Sequence, residues 1–190
     1  FSPISMFDFL MALLSSTSIT AAIILYYKAV EYEEISRIII LWQFIPIFTL
    51  ILSFFIIGEK LSVRDFAGFL LLFAAGLIVS YHKENRSFKI GKAFYLMLFS
   101  GLFVGMAYVT AKHVFSVTDF WSGVLWLRVT DFVGFSVLFV PSVRRELVQT
   151  FSGMKNKIKT LVGFKMLIDF SGFVISDAAI LLGHVSLVSA

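Results

Sequence analysis

The chain of 190 residues contains no cysteine, only three prolines and 15% charged residues, against about 25% in an ordinary soluble domain. Without cysteine there is no disulfide framework and no thiolate metal or redox site. The net charge of +4 is small and dispersed along the chain, so the basic face that nucleic acid requires is missing. There is no H-E-x-x-H, Walker loop, Gly-x-Ser-x-Gly or dinucleotide fingerprint. His82, His113 and His184 read as isolated residues near helix ends, and Ser152 of "FSGM" has no base beside it. No enzyme activity, cofactor or metal is expected.

What abounds is apolar surface. Hydrophobic residues make up 59% of the chain and include 23 Phe, more than a soluble fold of this length can hide. The charges gather in short clusters separated by apolar runs of about 19 to 24 residues, the length that crosses a ~30 Å hydrocarbon core. Spans are expected at 7–30, 36–57, 63–81, 93–111, 120–140 and 160–183, with a seventh starting near Ser186. The chain begins at Phe1 and stops at Ala190 inside that new apolar run, and reads as an excerpt. The class is an all-α polytopic membrane protein with the lipid bilayer as its solvent.

The joints are short. In "IIGEKLSVRDFAG" (56–68) Gly58 suits a helix C-terminus, and Ser62 with Asp65 forms an S-x-x-D cap for the next helix. The long exception is 141–159, which carries five Lys and Arg; it reads either as a solvated loop or as an amphipathic segment on the lipid surface. A faint internal match lays 21–38 over 171–188, pairing Ala29 with Ala179 and Ser36 with Ser186. Five crossings between equivalent helices would invert the second copy.

Residues 41–81, "LWQFIPIFTLILSFFIIGEKLSVRDFAGFLLLFAAGLIVSY", carry Pro46 within a helix, a Gly-Glu exit at Gly58 and Glu59, a short amphipathic turn, and spaced glycines at Gly68 and Gly76. Together with "GLFVGMAYVTAKHVF", which contains Lys112, and Arg128 in "WSGVLWLRVTDFVG", this pattern resembles an EamA-type transporter of the drug/metabolite transporter superfamily. The resemblance implies ten helices in two inverted halves. On that plan 1–81 is the C-terminal part of the first EamA-type repeat, 93–190 is the N-terminal part of the second, and about six helices are complete. It also implies a secondary transporter that moves a small polar organic solute, such as a metabolite, amino acid or drug, across the cell membrane by alternating access. Its partners would be that solute and the bilayer, with a homodimer left open and no nucleic acid. The alternatives are a membrane-embedded enzyme acting on a lipid-linked substrate and a non-transporting scaffold.

Polar groups deep within the spans mark the candidate site. In the last complete helix Lys165, Asp169, Gly172, Ser176, Ala179 and Gly183 form one stripe, with Asp177 at its border. An Asp or Lys near the bilayer centre costs ~2.5 to 3.5 kcal/mol, whereas each Leu, Ile, Phe or Val returns only ~0.3 to 0.6. The twelve such residues of this span would therefore about cancel two Asp and a Lys, so the stripe is expected to face protein or water. Arg128 and Asp131 either neutralise each other or bind an anionic group. Gln43 is either a ligand or an interhelical hydrogen bond, and Tyr108 continues the face of Gly101 and Gly105. The expected cavity is lined by Gln43, Tyr108, Arg128, Asp131, Lys165, Asp169 and Asp177, with Asp169 or Asp131 as a protonation site. Gly101-x-x-x-Gly105 and the Ser15, Ser18, Ala22 series are read as close-packing surfaces.

Orientation divides charge from family. The joints after the first, third and fifth spans carry eleven Lys and Arg, and those after the second and fourth carry three. The positive-inside rule puts the richer side in the cytoplasm, whereas the usual family arrangement puts 82–92 and 141–159 outside.

Overall fold

A computed structural model describes residues 4–60, 62–81, 91–132, 141–153, 156–183 and 188. Every helix or strand among them is a helix: α1 (Met6–Val30), α2 (Ile35–Leu41), a 3-10 turn (Trp42–Phe44), α3 (Ile45–Ile56), α4 (Val63–Tyr81), α5 (Lys92–Val117), α6 (Phe120–Asp131), α7 (Pro141–Gly153) and α8 (Asn156–Leu182). By length and apolar composition, α1 and α5 are the two described helices able to cross a membrane, and Trp42–Ile56 is a shorter apolar helix. That is the extent to which the six-crossing expectation is met on those grounds. The start of a seventh span near Ser186, the end of the fifth after Phe132 and the joint 82–90 lie outside the described residues.

The bundle is built around α5, which packs on α1, α3, α6 and α8. The α1–α5 seam is made mostly of small residues: Ala12, Ser15, Ser18, Ala22 and Ala29 are buried on α1, and Ala93, Ser100 and Ala107 on α5, with Met97 the large exception. Ser15 Oγ donates to Ala107 O at 2.9 Å, and Ser100 Oγ to Ala22 O at 2.9 Å. Large apolar side chains face outward instead, among them Met6, Phe7, Leu10 and Leu14 on α1 and Phe54, Phe55 and Ile56 on α3. Small residues inside with large apolar residues outside is the pattern of helices whose solvent is lipid. On α5, a Cβ added at Gly105 would come 3.1 Å from Thr49 N, and one at Gly101 would meet Ile45 and Phe48 at 3.5 Å. The expected close-packing surfaces are therefore both present, one against α1 and one against α3.

The second span is broken. Pro46 has no N–H to give Trp42 O, and its ring would crowd that carbonyl in a continuous α-helix. The chain tightens into the 3-10 turn, where Ile45 N donates to Trp42 O, and α3 then restarts with Pro46 in its first turn. Pro46, Thr49 and Ser53 are buried against α5. Their hydroxyls are satisfied within α3, Thr49 Oγ1 by Ile45 O at 2.9 Å and Ser53 Oγ by Leu50 O at 3.1 Å.

Two boundaries differ from the sequence reading. The fourth span runs on to Val117 instead of ending at 111, because Lys112 and His113 have partners inside the bundle and do not need the membrane edge. The loop expected at 141–159 contains the helix α7, followed by an α8 that begins at Asn156. Pro141 suits a first helical position, and Arg144, Arg145, Val148 and Gln149 are exposed along α7. Gly58 does end α3, with φ +71°, a left-handed value that disfavours a side chain. Helix α4 starts directly after Ser62, although the side chain of Asp65 lies outside the described set.

The helices alternate in direction. Ser15–Ala107 and Ala22–Ser100 make α1 and α5 antiparallel. Ile45 beside Gly101 and Thr49 beside Gly105 make α3 and α5 parallel. Phe9 against Trp126 and Ala12 against Thr130 make α1 and α6 parallel.

Candidate functional site

The short joint Thr118–Asp119 between α5 and α6 sets the position of Arg128. Asp119 caps α6 by accepting from Ser122 N at 3.0 Å. Gly123 lets α6 fold back tightly, since a Cβ there would come 2.6 Å from the Phe115 ring. About one and a half turns further along α6, Arg128 Nη1 reaches Asp131 Oδ2 at 2.8 Å on its own helix, and Arg128 Nη2 reaches Asp177 Oδ2 of α8 at 3.1 Å. The guanidinium also lies over the Phe173 ring, 5.3 Å from its centroid.

Helix α1 closes the cluster. Ser16 Oγ donates to Asp131 Oδ1 at 2.9 Å and lies 2.7 Å from Thr130 Oγ1. Thr130 Oγ1 in turn donates to Ala12 O at 3.2 Å. Tyr108 of α5 is half-buried within electrostatic reach of Asp177. Arg128 is about 12 Å along α6 from Phe120, and Ser16 about 15 Å along α1 from Met6, at 1.5 Å per residue.

One guanidinium thus faces two carboxylates, leaving one formal negative charge in excess. Asp177 is buried, with 8% of its side chain accessible, while Arg128 and Asp131 keep 31% and 36%. Arg128 Nε is buried without a hydrogen-bond partner among the described residues. A buried donor left unpaired costs ~1 to 3 kcal/mol, so a ligand oxygen arriving there would remove a standing penalty.

The structure brings Arg128, Asp131, Asp177 and Tyr108 together and leaves the other three expected residues elsewhere. Gln43 sits half-buried in the 3-10 turn, an element that packs on α5. Lys165 and Asp169 pair with each other on the exposed length of α8, and Gly172 of the same stripe meets open space. The contact face of α8 is centred on Asp177 and Ile180, so the residue read as the border of the stripe is the one that enters the bundle. Ser16, Thr130 and Phe173 were not anticipated. The hydroxyl run "SSTS" (15–18) in mid-span was the available signal for Ser16. His113, read as isolated, has its Nε2 3.0 Å from Asp8 Oδ1, with its ring edge-on to Phe7. Among the described residues no group of three or more His, Asp or Glu is placed to hold a metal ion.

Residues 2–81 match the model of the EamA-like transporter family, so this stretch is similar to an EamA-type transporter of the drug/metabolite transporter superfamily. The match covers residues 41–81, from which the resemblance was read. No curated protein and no solved structure matches the chain.

Proposed function

We propose that the protein is a secondary transporter that carries a small polar organic solute across the cell membrane by alternating access, with the solute seated at Arg128, Asp131 and Asp177. The observation that carries this reading is the cluster itself: three ionisable side chains, a half-buried Tyr108 and the Ser16 hydroxyl meet well inside helices whose outer surfaces are apolar. Ionisable groups within membrane helices are costly and mark substrate or ion pathways. The opposed directions of α1 and α6 on one hand and α3 and α5 on the other support serial crossing of the membrane by α1, α2–α3, α4, α5, α6 and α8. That order is the one expected of consecutive repeats, with 1–81 closing the first and 93–190 opening the second.

Chemically, the spare Nε–H of Arg128 is a donor for a carboxylate, phosphate or carbonyl oxygen of the solute. The excess negative charge of the two carboxylates suits a cationic group on the solute, or a proton that travels with it. Asp131 and Asp177 sit in the cluster while Asp169 is held by Lys165 outside it, which supports the former two as the proton carriers. The expected lining thereby narrows from seven residues to four, with Gln43 kept as a second contact on the α2–α3 break.

The reading is tested by loading proteoliposomes with the solutes of a cell extract and comparing their loss, by mass spectrometry, between wild type and Arg128→Gln. Depletion of one class of polar solute by the wild type only is the expected result. Equal retention by both proteins, each folded and inserted, would refute transport.

A further inference from the structure

Lys112, near the end of α5, makes three contacts at the end of a different helix. Its Nζ donates to Ile180 O at 2.6 Å, Leu181 O at 2.9 Å and Gly183 O at 2.8 Å, so all three N–H bonds of the ammonium end on carbonyl oxygens. The last four carbonyls of a helix have no partner within it, and they carry the negative end of its dipole. On α8, Ala179 O is taken by Gly183 N at 2.8 Å, and Lys112 supplies the cation for three of the carbonyls beyond it. Glu59, from the Gly-Glu exit of α3, lies within electrostatic reach of the same ammonium. Three carbonyls converging on one point, with a carboxylate nearby, is how proteins hold a monovalent cation: broken or ending helices in transporters coordinate ions through such carbonyls.

We infer that the end of α8 is a monovalent-cation site in which the Lys112 ammonium takes the place of the ion. The protein carries this cation covalently, so the α5–α8 contact forms at any sodium or potassium concentration. Removing the side chain takes the ammonium donor from three carbonyl oxygens that converge on one point 2.6 to 2.9 Å away, a distance at which an alkali cation can bind. The helix end then becomes dependent on a free ion. This inference stands on the Lys112 contacts alone and is independent of what the protein transports.

The chain has no cysteine, so Lys112→Cys gives a unique thiol. Thermal unfolding of this variant in detergent, at constant ionic strength, is expected several degrees higher in Na+ or K+ than in choline, whereas wild type unfolds at the same temperature in all three. Alkylation of the thiol with 2-bromoethylamine rebuilds a lysine-like ammonium and is expected to erase the ion dependence. Identical unfolding of the unmodified Cys variant in all three salts, or ion dependence that survives aminoethylation, would overturn the proposal. Should the variant not fold, acetylation of wild type under native conditions decides. Lys112, with its three N–H bonds committed, is expected to react at least tenfold more slowly than the exposed Lys92, and equal rates would overturn the inference.

Discussion

Asp177 and Asp169 lie eight residues apart on one helix, yet they meet opposite surroundings. Asp177 is buried against Arg128, and Asp169 pairs with Lys165 on an exposed surface. Sequence spacing gives the angle of each side chain around α8, and the packing partner decides which angle faces inward. The helical stripe was therefore legible while its centre was not. A buried ion pair broken on one side costs up to ~3 to 5 kcal/mol, whereas replacing both partners by apolar groups is often close to neutral. Asp177→Leu is expected to lower stability by about 3 kcal/mol or less, given the partial exposure of Arg128, with Arg128→Met added to Asp177→Leu recovering most of the loss. Transport should be absent from both proteins, as uptake assays alongside thermal unfolding would show; a double variant that transports would reduce the cluster to a structural ion pair. Asp131→Asn and Asp177→Asn are likewise expected to abolish the response of uptake to a pH gradient while Asp169→Asn retains it.

At the scale of the helices, the small residues did most of the specifying. Gly101-x-x-x-Gly105 and Ser15, Ser18, Ala22 could be recognised in advance because close approach demands small side chains wherever it occurs. Which helix approaches could not be read from them. The two glycines now make unequal predictions. At Gly105 an added methyl group meets Thr49 N at 3.1 Å, a backbone atom locked into α3, whereas at Gly101 it meets side-chain carbons at an ordinary 3.5 Å. Gly105→Ala is expected to destabilise by about 1 to 3 kcal/mol through overpacking and Gly101→Ala to be nearly silent, measured by thermal unfolding in detergent. The length of α5 escaped the sequence for the same reason as the ionic cluster did. Lys112 and His113 look like residues at a membrane edge until the carbonyls of α8 and the carboxylate of Asp8 are brought to them.

For the whole molecule, the apolar runs foretold an all-helical chain, since length and hydropathy are local properties, while two of the described helices, α1 and α5, are long and apolar enough to cross a membrane. The orientation rests on charge. Lys92 lies over the Tyr32 ring, 5.6 Å from its centroid, which puts the joint after α1 and the start of α5 at the same end of the bundle, as the charge count assumes. The joints after the first, third and fifth spans carry eleven Lys and Arg against three in the others, so their side is expected to be cytoplasmic. A cysteine placed at the exposed Ser152 of α7 should then resist membrane-impermeant thiol reagents in intact cells, and ready labelling would favour the family topology instead.

Alternating access to the Arg128–Asp131–Asp177 cluster is the centre of this account, and a single cysteine at the half-buried Ser176, next to Asp177 on α8, tests it most directly. Its rate of modification by an impermeant thiol reagent is measured in right-side-out and inside-out vesicles. The account predicts labelling in both, from one face of the membrane at a time, slowed in both by a transported solute. Labelling in neither orientation, or in only one and indifferent to any solute, would contradict it.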